Sequence, residues 1–227
     1  EPWFFTDDGW VTYTRTFTCA DEGDNWNRAI ITETEEYADE MVSVSCEELS
    51  VSKTAATWFT RTFDWTISKS VDVDTWNLFS GGSGTSTYNI TVIKDDGTDS
   101  AWLVNGTITI YNPAAYPVTI SGVTDVVSGA GAATVELPEG GYPYVLAAGA
   151  TLELDYSLAL TDASSRTNLV TVDIEGTDTD FTDDADVIFG EPTTLVLDEI
   201  HVTDNNTAVE PWFFTDDGWV TYTRTFT

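Results

Sequence analysis

The stretch EPWFFTDDGWVTYTRTFT runs from Glu1 to Thr18 and returns, letter for letter, from Glu210 to Thr227. Its second half, WVTYTRTFT, alternates large or β-branched residues with polar ones, the two-residue period of a half-buried strand. A strand slot in a folded domain holds one occupant. The two copies therefore belong to two different copies of one domain, and the chain reads as one period of a longer object plus an overlap. A weaker repeat lies inside the period, where YTRTF (Tyr13 to Phe17) comes back as FTRTF (Phe59 to Phe63). An Asn-led strand, an acidic turn and a closing strand follow each of them, in WNRAIITETEEYADEMVSVSC and, much later, in TNLVTVDIEGTDTDFTDDADVIFG.

Two related units per period account for this pattern. The larger is expected at 51–190. Residues 1–50 then form the last part of a smaller unit and residues 191–227 the first part of the next one, so that the small unit draws on opposite ends of the sequence. Three arrangements fit: a window on a giant tandem polyprotein, a subunit whose terminal strand completes its neighbour by strand addition, or a chain designed to hold one whole small domain. Identity over all eighteen residues is what recently duplicated tandem repeats give, which favours the first.

The strands themselves are plain. Alternation recurs in STYNITVI, GTITIYN, TLELDYSLAL, TNLVTVDI and ADVIFG, with Gly, Asp, Asn and Pro between, and no segment keeps an apolar period of 3.6. Short strands with polar turns predict an all-β chain of antiparallel sandwiches. Hydrophobic residues at 41% and aromatics at 13% supply enough apolar surface for true cores, which argues against disorder in spite of the charge. That charge is −31, from 39 acidic and 8 basic residues spread along the chain. Such a surface repels nucleic acid and anionic headgroups and suits calcium, high salt or a solvated coat. No apolar run approaches a bilayer span and the first residues lack the pattern of a signal peptide, so the chain reads as a mature or excised soluble piece.

From FTRTFDWTISKSV to GATLELDYSLAL the sequence resembles the immunoglobulin-like tandem repeats of very large secreted and cell-surface proteins of bacteria and archaea. The resemblance rests on W-T-I-x-K, G-x-S-G-T-x-x-Y-x-I-T-V, W-x-V-x-G-T-I-T-I-x-N-P, L-A-A-G-x-T-L and T-N-x-V-T-V. It implies a β-sandwich repeat in a stalk, adhesin, sheath or fibre, so that the two units per period are expected to be immunoglobulin-like antiparallel β-sandwiches in tandem.

Candidate chemistry is sparse. Cys19 and Cys46, an even count in a chain read as extracellular, predict a disulfide that adds about 3 kcal/mol to a small domain. Asp178, Asp180, Asp184 and Asp186 alternate through one acidic turn and could ligate calcium, though solvated turns of an acidic coat are the plainer reading. Lys69 shares strand parity with Phe63, Trp65, Ile67 and Val71, and Asn168 with Val170, Val172 and Ile174. A core Lys facing a core Asn is the pair that forms an intramolecular isopeptide bond, and a purely structural Asn is the alternative, since Asn27 matches Asn168 with no Lys near it. Sequons at Asn89, Asn105 and Asn205 offer N-glycan acceptors. Trp3, Phe4 and Phe5, repeated as Trp212, Phe213 and Phe214, serve either core packing between units or sugar stacking.

His201 is the only histidine, no serine stands in a nucleophile elbow and no Gly-rich loop fits a phosphate, so no catalytic set is expected. The expected function is a structural unit of an extracellular or cell-surface filament, sheath or surface layer, joined end to end with identical repeats through the duplicated segment. The alternative is an adhesin or carbohydrate-binding module that takes glycan, with calcium.

Overall fold

Alternation in the sequence becomes alternation of burial. In TLELDYSLA, Leu152, Leu154 and Tyr156 are buried while Glu153 and Asp155 face water. The computed structural model describes residues 3–205 and 211–227. Among them the chain is all β, with one short 3-10 turn and no α-helix.

After the turn at Cys19–Asp21 come β1 (Gly23–Ile30), β2 (Tyr37–Val44), β3 (Ser50–Lys53), β4 (Ala56–Thr62), β5 (Trp65–Val71) and β6 (Gly84–Lys94). Next are β7 (Thr98–Tyr111), β8 (Val118–Val127), β9 (Gly131–Ala132), β10 (Thr134–Val135), β11 (Tyr144–Leu146) and β12 (Thr151–Ala159). The chain finishes with β13 (Arg166–Ile174), β14 (Phe181–Val187), β15 (Thr194–Val196), β16 (Ile200–Val202), β17 (Trp212–Phe214) and β18 (Gly218–Phe226).

Two sheets enclose the main core. One runs β10-β12-β7-β4-β15, with β3 also paired to β7; the other runs β11-β8-β13-β14, with β9 on β8. Every pairing is antiparallel except β15 on β4. Val104, Ile108, Ile110 and Leu154 of the first sheet meet Ile120, Val127, Val170 and Val172 of the second in one buried cluster. Each such side chain contributes about 2 kcal/mol by leaving water, which makes this sandwich the stable body of the protein.

β3 and β4 run as one strand broken at Thr54 and Ala55, both halves pairing with β7 and β4 also with β15. Opposite the break stands Gly106, where a Cβ would run into the Thr54 carbonyl and the Tyr156 hydroxyl. The glycine lets the bent strand lie flat on β7.

A second, smaller cluster forms from the sheet β18-β6-β5 and the pair β16-β17, around Ile90, Val92, Val202 and Phe214. The hairpin β5–β6 lies within the 51–190 span expected for the larger sandwich, yet its free edge pairs with β18 from the last part of the chain. Parity fixes which face of a strand is apolar, but not which sheet it joins.

Among the described residues the ribbon β1–β2 joins no other strand, and Asn25 and Asn27 tie it to Arg15 and Tyr13. Its register places Trp26, Ile30, Tyr37 and Met41 on one face, and all four are exposed. Two strands alone are marginal in water. The Cys19–Cys46 disulfide, with Cα atoms 5.6 Å apart, closes its base.

Candidate functional site

The duplicated segment is the most informative site because one sequence sits in two environments. Both copies bend at the same place, 6–8 and 215–217. In both, the first tryptophan stacks on the tyrosine ten residues on: Trp3 on Tyr13 at 5.7 Å and Trp212 on Tyr222 at 5.8 Å between ring centroids. Phe5 lies over Gly9 as Phe214 lies over Gly218. The local shape is thus a property of the eighteen residues themselves, and the small Gly lets the ring close over the turn.

What differs is the surroundings. Phe214 is 9% exposed in the small core, and β18 pairs over its whole length with β6, from Gly218↔Val92 to Phe226↔Gly84. Phe5 is 54% exposed and Phe4 88%, and no residue of 3–18 is in a strand. Tyr222 donates its hydroxyl to Asp204 Oδ2 at 2.9 Å, whereas the Tyr13 hydroxyl accepts from Asn27 Nδ2 on the ribbon. The first copy therefore keeps the bend and ring contacts of the paired copy while its apolar side chains face water.

Comparison with protein-family models, with curated proteins and with solved structures finds no match for this chain. The functional argument rests on its own residues.

The disulfide expected between Cys19 and Cys46 is formed. Thr18 and Asp21 cap the turn that begins at Cys19: Asp21 accepts from the Thr18 backbone N–H at 3.0 Å, which holds its carboxyl below the usual carboxylate range, helped by Arg15 at 3.0 Å.

The four aspartates offered for calcium do not converge. Asp178 and Asp180 lie in the turn before β14, while Asp184 and Asp186 point outward along it, spaced by the strand pleat. Asp180 instead lies beside Asp173, whose carboxyl is pushed up by burial, then by a hydrogen bond shared with Asp180 and by that group's like charge. Among the described residues no three His, Cys, Asp or Glu side chains gather as a metal set.

Of the sequon residues, Asn105 is half-buried and accepts from Trp58 Nε1 at 3.1 Å, and Asn89 is half-buried on β6 between two strands. Asn205 is exposed, and the rest of its sequon lies outside the described residues.

Lys69 and Asn168 are not brought together. Lys69 stands on β5 at the small cluster, with Nζ 2.6 Å from Asp204 Oδ2 and near the Tyr88 and Tyr222 rings. Asn168 is fully buried in the large sandwich on β13. The lysine that reaches that core is Lys53, at the end of β3, with its side chain wholly removed from water and its ammonium paired with Asp125 of β8. Nζ also sits 3.5 Å from the centroid of the Tyr156 ring. Burial pushes the Lys53 amine down and the Asp125 carboxyl up, each opposed by the other's charge. The signal for Lys53 was in the sequence: Leu49, Val51 and Ala55 share its parity and all pack on the core, the same rule that singled out Lys69.

Proposed function

We propose that this chain is a structural repeat of an extracellular filament, sheath or surface layer, in which the duplicated segment seats one unit on the next. The observation that carries the reading is the pair of environments: the same eighteen residues bury Phe214 as a sheet strand at one end and leave Phe5 exposed, in the same local shape, at the other.

In this reading residues 3–18 take, against the β5–β6 hairpin and β16 of a neighbouring unit, the place that β17 and β18 take here. The ribbon β1–β2 follows directly, and on one face its Trp26–Met41 and Ile30–Tyr37 pairs flank the Arg28–Asp39 ion pair, a cover of apolar side chains around a neutralised charge of the kind a four-residue core lacks. The two sandwich-like bodies are then immunoglobulin-like domains alternating along a fibre. A disulfide accords with an oxidising compartment, and no helix among the described residues is long and apolar enough to cross a membrane. Glycan stacking has less support, since Trp212 packs against the small core and Phe214 is part of it.

The test is a chain lacking residues 210–227, which exposes the β6 edge. It is expected to associate head to tail through residues 1–18 of other copies, and a synthetic EPWFFTDDGWVTYTRTFT peptide is expected to cap these oligomers to single units, as read by light scattering. A chain that stays monomeric and binds no peptide contradicts the proposal.

A further inference from the structure

Three polar side chains converge between the sheets of the large sandwich. Lys53 comes from the first sheet, and Asp125 and Asn168 from neighbouring strands of the second, where Val170 lies opposite Asp125 and Val127 opposite Asn168. Asp125 and Asn168 are therefore diagonal neighbours on the inner face. The Lys53 and Asp125 side chains have no exposure, and Asn168 is fully buried. Asn168 stands against Asp125 and Tyr156, yet neither its Oδ1 nor its Nδ2 completes a hydrogen bond, and Asp125 Oδ1 is likewise without a partner. The Tyr156 hydroxyl is already committed to the Thr54 carbonyl at 2.5 Å.

A buried ammonium, a buried carboxyl and an unsatisfied carboxamide are costly when separate. One reaction removes the excess. We infer that Lys53 and Asn168 condense to an intramolecular isopeptide bond, with Asp125 moving the proton. The neutral Lys53 amine attacks Asn168 Cγ while the protonated Asp125 carboxyl polarises Oδ1. Asp125 takes a proton from the attacking nitrogen and delivers one to the departing Nδ2. The Nζ–Cγ bond forms, the Cγ–Nδ2 bond breaks, and ammonia leaves, with no oxidant or external reagent. The product amide has one N–H and one C=O, matching the two oxygens of one carboxylic acid, so the groups now unpaired become paired.

The surroundings favour this course. Desolvation shifts both groups toward the neutral forms that the attack requires, lowering the Lys53 amine and raising the Asp125 carboxyl. The negative charge of Asp183 on the adjacent β14 acts the other way, favouring the ammonium, but burial is the larger influence on Lys53. The bond would tie the edge strand β3 to β13 across the core, so that a pull along the chain meets a covalent link between the sheets. This inference stands on the large sandwich alone and is independent of how units join.

The test is intact mass of the folded chain with its disulfide accounted for, followed by tryptic mapping. The expected species is one ammonia lighter than the sequence. Lys53 should resist cleavage, and the peptide ending at Arg61 should be joined to the one beginning at Thr167. Lys69→Met should keep the link; Lys53→Met and Asp125→Ala should show the full mass, with Asp125→Asn as a second variant in case the alanine protein does not fold. Wild type at full mass overturns the inference and leaves a buried ion pair. Loss of ammonia without the branched peptide overturns it too, as an asparagine cyclisation elsewhere. A link formed at the wild-type rate in a folded Asp125 variant overturns the role given to Asp125.

Discussion

Phe5 and Phe214 occupy the same place in the repeated segment, and one is 54% exposed where the other is 9%. Each ring closes over its own glycine, Gly9 or Gly218, so the difference lies in what surrounds the segment. Phe214→Ala should therefore cost about 3 kcal/mol, the loss of an aromatic ring from a small core. Phe5→Ala should change stability by less than about 0.5 kcal/mol. Urea titration followed by hydrogen exchange at β6 measures both.

The disulfide should act locally. The ribbon β1–β2 makes no sheet with the rest of the described chain, so Cys46→Ser should release residues 23–44 to rapid amide exchange, a loss of about 3 kcal/mol in the chain-entropy account. Exchange at Val104, Ile108 and Val170 should stay as slow as before.

Gly106 should tolerate no side chain. A Cβ there meets the Thr54 carbonyl and the Tyr156 hydroxyl, so Gly106→Ala should push β3 off β7 and destabilise the large sandwich by about 2 kcal/mol. Thermal melts of wild type and variant decide this, and an unchanged midpoint would show that the edge strand moves freely.

Asp173 should weaken the fold at neutral pH. Its carboxyl is held above its ordinary value by burial and by Asp180, so the folded state keeps its proton longer than the unfolded state does. The penalty is absent below the unfolded value of 3.8 and grows as pH rises through the folded one. Asp173→Asn should raise the melting temperature modestly at pH 7 and lose that advantage near pH 3.

The sequence carried the strands because period-two burial is local: Leu152, Leu154 and Tyr156 announce their face without any partner. Cys19 and Cys46 were legible for the same reason, flanking one ribbon. Partnering across the chain was not. Lys69 and Lys53 both follow apolar parity, and what separates them is that β5 joins β18 while β3 joins β7, a choice made by residues far away in sequence. Asp204 meets Lys69 and Asp125 meets Lys53 by the same long-range pairing. Asn105 looked like a surface sequon because nothing local reveals that Trp58 would bond it.

The central claim is that consecutive units share one kind of slot, and the most direct measurement is hydrogen exchange on a chain of two consecutive periods. The internal copy of the β1–β2 ribbon should be strongly protected, its Trp26 and Tyr37 face covered by the preceding small core, while the outermost copy, held by its own ladder and disulfide alone, exchanges much faster. Equal and rapid exchange in both ribbons would contradict the account.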